Sequence, residues 1–172
     1  METEENKSNL LDAFFRIHDF LVSHASMPIR RQLMDEIDWE QRLIAIKGGR
    51  GVGKTDFLLT GAKEPEEKKR LEEETQANIK HRRKKKGTNA RPCLYISLND
   101  FYFTDNSLYG LAGEFAANGG EYLFIDQIFK YPDWAKDLKH CYTRYKKLHI
   151  VFCATPVLPI DEENPLICDI VT

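Results

Sequence analysis

The chain has little that would mark it as secreted, metal-bound or membrane-embedded. Its four cysteines, Cys93, Cys141, Cys153 and Cys168, include no CxxC pair. No histidine is spaced to complete a zinc site with them, which excludes the common zinc-finger and redox-motif patterns. Its longest apolar runs, about Leu43–Ile46 and Ile150–Ala154, fall far short of the roughly 20 residues a membrane helix needs. The start, Met-Glu-Thr-Glu-Glu, lacks the basic and apolar stretches of a secretory signal. These absences predict a soluble cytoplasmic protein with no membrane partner. The composition is otherwise that of a globular domain, with 42% hydrophobic and 30% charged residues in 172. That excludes wholly disordered and collagen-like chains.

The net charge of −2 conceals an asymmetry. Residues 62–91 carry eleven Lys/Arg against six Asp/Glu, so the remainder is acidic. Within 64–86 the acids come first and the bases last, the order that a helix dipole favours. Apolar residues there are sparse, so the stretch reads as a solvated helix or a disordered insertion. Lys80–Lys86 is a candidate nucleic-acid contact, but no aromatic side chains interleave for base stacking, and the solvated reading is favoured.

Outside that segment, short apolar runs alternate with helical patterns. The strands expected are Arg42–Lys47, Cys93–Leu98, Tyr122–Asp126 and His149–Thr155. The helices expected are Asn9–Ser23 capped by Ser8 and broken at Pro28, Ile29–Ile37, a short one ending at Gly61, Asn106–Asn118 ended by Gly119-Gly120, and Pro132–Tyr145. Continuous apolar strands between helices predict an α/β fold, a parallel sheet covered on both faces. The expected organisation is a helical lead-in over 1–40, a core over 41–155 with the charged insertion at about 62–91, and a tail over 156–172 without a clear element.

The strongest motif is Gly48-Gly49-Arg50-Gly51-Val52-Gly53-Lys54-Thr55, a full GxxxxGK[ST] phosphate loop between an apolar strand and a helix. Glycines let successive N–H groups converge on one phosphate, and the helix start adds its positive end. Lys54 is placed to reach the β- and γ-phosphates, and the Thr55 hydroxyl to bind Mg²⁺. Asp126 ends an apolar strand 72 residues after Lys54 and is the second candidate for holding Mg²⁺, through water. The cofactors expected are therefore ATP and Mg²⁺. Asp100, after another strand, is read as a turn cap rather than a base.

Four stretches together resemble an AAA-type ATPase domain of bacterial and archaeal proteins: Arg42–Thr55, Leu94–Leu98, Tyr122–Asp126 and Lys130-Tyr-Pro-Asp-Trp134. In that group the domain is often joined to a C-terminal nuclease-like domain. The resemblance covers about residues 28–155. It implies a P-loop sheet, ATP binding with Mg²⁺, and a polar sensor residue at the position of Thr155. The sequence departs from the pattern at three points. Gln127 stands where the family has a glutamate, and a neutral amide cannot accept a proton from water. Asp56 stands where a hydroxyl usually meets the α-phosphate, and a carboxylate there opposes a polyanion. After Val151–Thr155 no fifth strand, helical lid or arginine finger is recognisable, and Arg144 sits on a helix, so the sheet is expected to be incomplete at the C-terminus.

The residues expected to bind nucleotide are thus 48–56, with Lys54, Asp126, Gln127 and Thr155 around the reacting phosphate. The leading expectation is an ATP-binding domain with weak or absent hydrolysis. A non-enzymatic protein that engages a protein partner through a degenerate ATPase fold is the alternative. A small phosphotransferase is less favoured, because no Arg-rich lid is visible.

Overall fold

The computed structural model describes residues 2–25, 31–79, 91–155 and 168–171. Five parallel strands form one sheet. They are β1 (Leu43–Lys47), β2 (Cys93–Ser97), β3 (Tyr122–Asp126), β4 (His149–Ala154) and β5 (Cys168–Val171), in the order β2-β3-β4-β1-β5. Four of them coincide with the apolar runs of the sequence, as a strand buried on both faces requires. The fifth corrects an expectation. The tail is expected to carry no clear element and the sheet to be incomplete at the C-terminus, yet Cys168–Val171 pairs with β1 in register Ile44↔Cys168 to Lys47↔Val171 and supplies a fifth strand.

Alternation along each strand divides the core in two. Ile44, Ile46, Phe124, Val151 and Cys153 pack beneath α3 (Lys54–Ile79), against its Phe57, Leu58, Leu59 and Ala62. Ala45, Leu94, Ile96, Leu123, Ile125 and Phe152 face the opposite way. They pack on α5 (Leu108–Ala117) and α6 (Trp134–Arg144) through Leu111, Phe115, Leu138 and Cys141. Helices therefore cover both faces, as expected.

Several helix boundaries differ from the sequence reading. The helix after the glycine-rich loop does not end at Gly61 but runs 26 residues to Ile79, with Pro65 inside it. Gly61 serves contact instead: a Cβ there would stand 3.1 Å from the Trp39 ring and 3.2 Å from Phe124. The first helix, α1 (Glu2–His24), begins before Ser8, so Ser8 is not its cap. Pro28 lies outside the described residues. The second helix, α2, is only Leu33–Glu36. A one-turn helix, α4 (Tyr102–Asp105), precedes the expected Asn106–Asn118 helix, which begins only at Leu108, where Ser107 caps α5 by accepting from the Gly110 N–H at 3.0 Å. Gly119, at φ +84°, terminates α5 as expected. Asp100 caps the turn after β2, accepting from the Tyr102 N–H at 2.9 Å.

β2 is an edge strand, and α1 covers it. The buried His18 ring accepts from the Tyr95 N–H at Nδ1, 2.8 Å away. A backbone N–H can only donate, so Nε2 carries the ring proton and donates to Glu66 Oε1 at 3.2 Å. Arg91 bridges Glu66 at 2.8 Å and Asp19 at 2.5 Å. His18, Asp19 and Glu66 bring three potential ligand atoms within 4.8 Å of one another, but the Arg91 guanidinium already supplies the positive charge there. This network thus satisfies an exposed sheet edge and ties α1 to α3.

Burial raises the Glu66 carboxyl, but hydrogen bonds from His18 and Arg91 outweigh it and hold the group below its ordinary value. A depressed carboxyl stabilises the fold above its unfolded value and loses that contribution as pH falls through its folded one. Glu66→Gln is therefore expected to destabilise the protein at pH 7. The difference from wild type in urea denaturation should shrink as pH falls below the ordinary carboxyl value of 4.5. A pH-independent difference would contradict the assignment.

Candidate functional site

Parallel strands place their carboxyl ends, and the loops that follow, along one rim of the sheet. The loop Gly48–Gly53 leaves β1 there and enters α3 at Lys54. Gly51 and Gly53 adopt φ of +83° and +81°, a left-handed conformation that only glycine takes without strain. The Gly48 N–H donates to the Ala154 carbonyl at 3.3 Å, pinning the loop to the end of β4. Lys54 Nζ donates to the Gly48 and Gly49 carbonyls, each at 2.7 Å, so it lies folded over the loop.

Asp126 ends β3 almost fully buried. Its Oδ2 accepts from the Thr55 hydroxyl at 2.6 Å and from the Tyr95 hydroxyl at 3.1 Å, and its Oδ1 from the Gln127 N–H at 2.7 Å. Gln127 has φ +53° and ψ +40°, the one non-glycine residue with positive φ among those described. Such a conformation costs of order 1 kcal/mol or more and is held here by the bond to Asp126. Burial and the neighbouring Asp126 carboxylate push the Tyr95 hydroxyl far above its ordinary value, so it remains a donor. Cys153 is buried and donates its thiol to the Lys54 carbonyl at 3.5 Å. Burial and Asp126 push its thiol up, which keeps it protonated and unreactive.

The fold thus brings the 48–56 loop, Asp126 and Gln127 together. Thr155 directly follows β4, which lies between β3 and β1 in the sheet. Arg144 ends α6, ahead of β4, and so stands at the opposite rim from the loop. Lys80–Lys86 lies outside the described residues. A cleft lined by Trp39, Gly61, Pro65, Lys68, Pro92 and Tyr122 also lies at that opposite rim, away from the loop.

Two residues beside Asp126 and the loop were not found in the sequence. One is Tyr95, whose only signal was a polar-tipped ring between Leu94 and Ile96 in a buried strand. The other is Arg31, whose Nη2 donates to the Val52 carbonyl at 2.6 Å. That nitrogen would lie 2.5 Å from a Cβ built on Gly53, and Asp56 Oδ2 would lie 3.8 Å from the same point. Arg31 and Asp56 therefore both border Gly53, which brings a positive charge into the neighbourhood of the carboxylate that the sequence places beside the phosphate loop.

A family model described as AAA domain matches residues 40–158, more than half of the chain. The chain belongs to the AAA domain family. No curated protein and no solved structure matches it. The AAA domain is a nucleotide-binding, ATPase-like domain, and the sheet, rim loop and Asp126 described above lie within its matched span. Among the described residues no helix is long and apolar enough to cross a membrane.

If Arg31 offsets Asp56, Arg31→Ala should weaken nucleotide binding about threefold to fivefold, the scale of an exposed charge pair. Adding Asp56→Ser should restore most of that loss. Equal losses in the single and double variants, read by calorimetric titration, would show that the two charges act independently.

Proposed function

We propose that this AAA domain binds ATP together with Mg²⁺ and hydrolyses it weakly or not at all. The observation that carries the reading is the 2.6 Å hydrogen bond between Thr55 and Asp126, made at the mouth of a glycine loop that meets a helix N-terminus. The backbone N–H groups of residues 49–55 provide the phosphate cradle, and the first turn of α3 adds the positive end of its dipole. On phosphate binding, Lys54 exchanges the Gly48 and Gly49 carbonyls for phosphate oxygens. Thr55 and Asp126 offer hard oxygen donors of the kind Mg²⁺ takes, and they would hold it, Thr55 directly and Asp126 through water. The ion, when bound, supplies charge neutralisation at the β- and γ-phosphates. Thr155 follows the strand between Asp126 and the loop and serves as the polar sensor of the γ-phosphate.

Weak hydrolysis follows from Gln127. It follows Asp126 directly, at the position where the family pattern has a glutamate base, and an amide cannot take a proton from water. Its backbone N–H is committed to Asp126. The same residue motivates the second reading, an interaction protein in which nucleotide is structural and turnover is absent under every partner condition.

A fluorescent ATP analogue with Mg²⁺ is expected to bind wild type saturably and to lose binding in Lys54→Ala. Gln127→Glu is expected to keep binding and to raise phosphate release by roughly a hundredfold, the low end of what general-base catalysis contributes. Undiminished binding by Lys54→Ala would overturn the phosphate-loop assignment. Turnover by wild type equal to that of Gln127→Glu would overturn the catalytic reading of Gln127.

A further inference from the structure

Tyr95 sits on β2, the edge strand, one strand beyond Asp126. Register pairs Tyr95 with Phe124 and Ser97 with Asp126, so Tyr95 and Asp126 share the α3 face on a diagonal two residues apart. A phenol spans that diagonal where an aliphatic side chain does not. Both side chains are buried, at 4% and 5% exposure, so their hydrogen bond is shielded from water.

A carboxylate offers about four lone-pair sites, two on each oxygen. On Asp126, Thr55 and Tyr95 take both sites of Oδ2, and the Gln127 N–H takes one site of Oδ1. One site remains, on the oxygen that Tyr95 does not touch. Building on the reading that this domain binds Mg²⁺-nucleotide, we propose that Tyr95 is a positioning residue for the metal. It fixes the Asp126 carboxylate so that Oδ1 alone presents a free lone pair to a metal-bound water.

Two details support a positioning role over simple packing. The Tyr95 backbone is itself anchored, its N–H held by His18, so the phenol starts from a fixed strand. And the bond runs to the same oxygen as the Thr55 hydroxyl, leaving the carboxylate no freedom to rotate without breaking two donors. Removing the phenol oxygen frees a lone pair on Oδ2 and lets the group turn. The binding pocket for the nucleotide itself, the loop and Lys54, is untouched by the change.

Tyr95→Phe is the direct test, read by nucleotide titration across a Mg²⁺ series. Loss of one buried hydrogen bond to a charged group predicts about a tenfold rise in the Mg²⁺ concentration for half-maximal binding, with Mg²⁺-free affinity held within about twofold. An unchanged Mg²⁺ requirement in a folded Tyr95→Phe protein overturns the inference while leaving the nucleotide-binding reading intact. Absence of nucleotide binding by wild type, with and without Mg²⁺, overturns both. A second measurement keeps Tyr95 in place and decides the matter even where Tyr95→Phe does not fold. In ultraviolet difference absorption, Asp126→Asn should shift tyrosine absorbance to shorter wavelength as a phenol loses its charged acceptor. Superimposable tyrosine spectra would overturn the inference.

Discussion

A single hydroxyl–carboxylate contact, Thr55 to Asp126 at 2.6 Å, joins the two halves of this molecule's chemistry. Thr55 belongs to the first turn of the helix that leaves the glycine loop, and Asp126 to the end of a buried strand two positions away in the sheet. Bringing them together requires the parallel arrangement. All strands must point the same way for their ends and following loops to share a rim, and helices must cross over each face to return the chain. The buried carboxylate would be costly alone. It is sustained by three donors, from the loop helix, from the neighbouring strand and from its own following residue.

The edge of the sheet obeys the same requirement for satisfied polar groups. His18 accepts the Tyr95 N–H and passes a proton-bearing nitrogen to Glu66, which Arg91 neutralises together with Asp19. A helix that begins far upstream of the glycine loop is thereby tied to the strand that carries Tyr95 and to the middle of α3. Similar satisfaction explains the motif Lys130-Tyr-Pro-Asp-Trp134. Tyr131 donates to the buried Asp137 carboxylate at 2.9 Å, and the Tyr109 N–H donates to it at 3.1 Å, which locks α6 to α5. Burial and Asp137 push the Tyr131 hydroxyl up to about 12, so it stays a donor. Tyr131 of this motif thus has an architectural role, holding the Asp137 carboxylate that joins α6 to α5.

What the sequence revealed and what it concealed divide along physical lines. Strands buried on both faces must be continuously apolar, so Tyr122–Asp126 could be placed to the residue. The glycine loop was legible because its backbone angles demand glycine at fixed positions. Gly61 misled, since a glycine that ends helices elsewhere here admits the Trp39 and Phe124 rings. The strand Cys168–Val171 was hidden because its four residues include an aspartate and its partner strand is over a hundred residues earlier. Tyr95 and Arg31 reach the site from elements distant in sequence, through pairings that no local pattern encodes.

The central claim is that the site holds ATP with Mg²⁺ without efficiently splitting it. The most direct measurement incubates purified protein with excess Mg²⁺-ATP, isolates the protein rapidly, and identifies the bound nucleotide by chromatography. Intact ATP, retained near one equivalent after hours, is the result expected from a working cradle beside Gln127. Bound ADP with stoichiometric phosphate release would contradict the account.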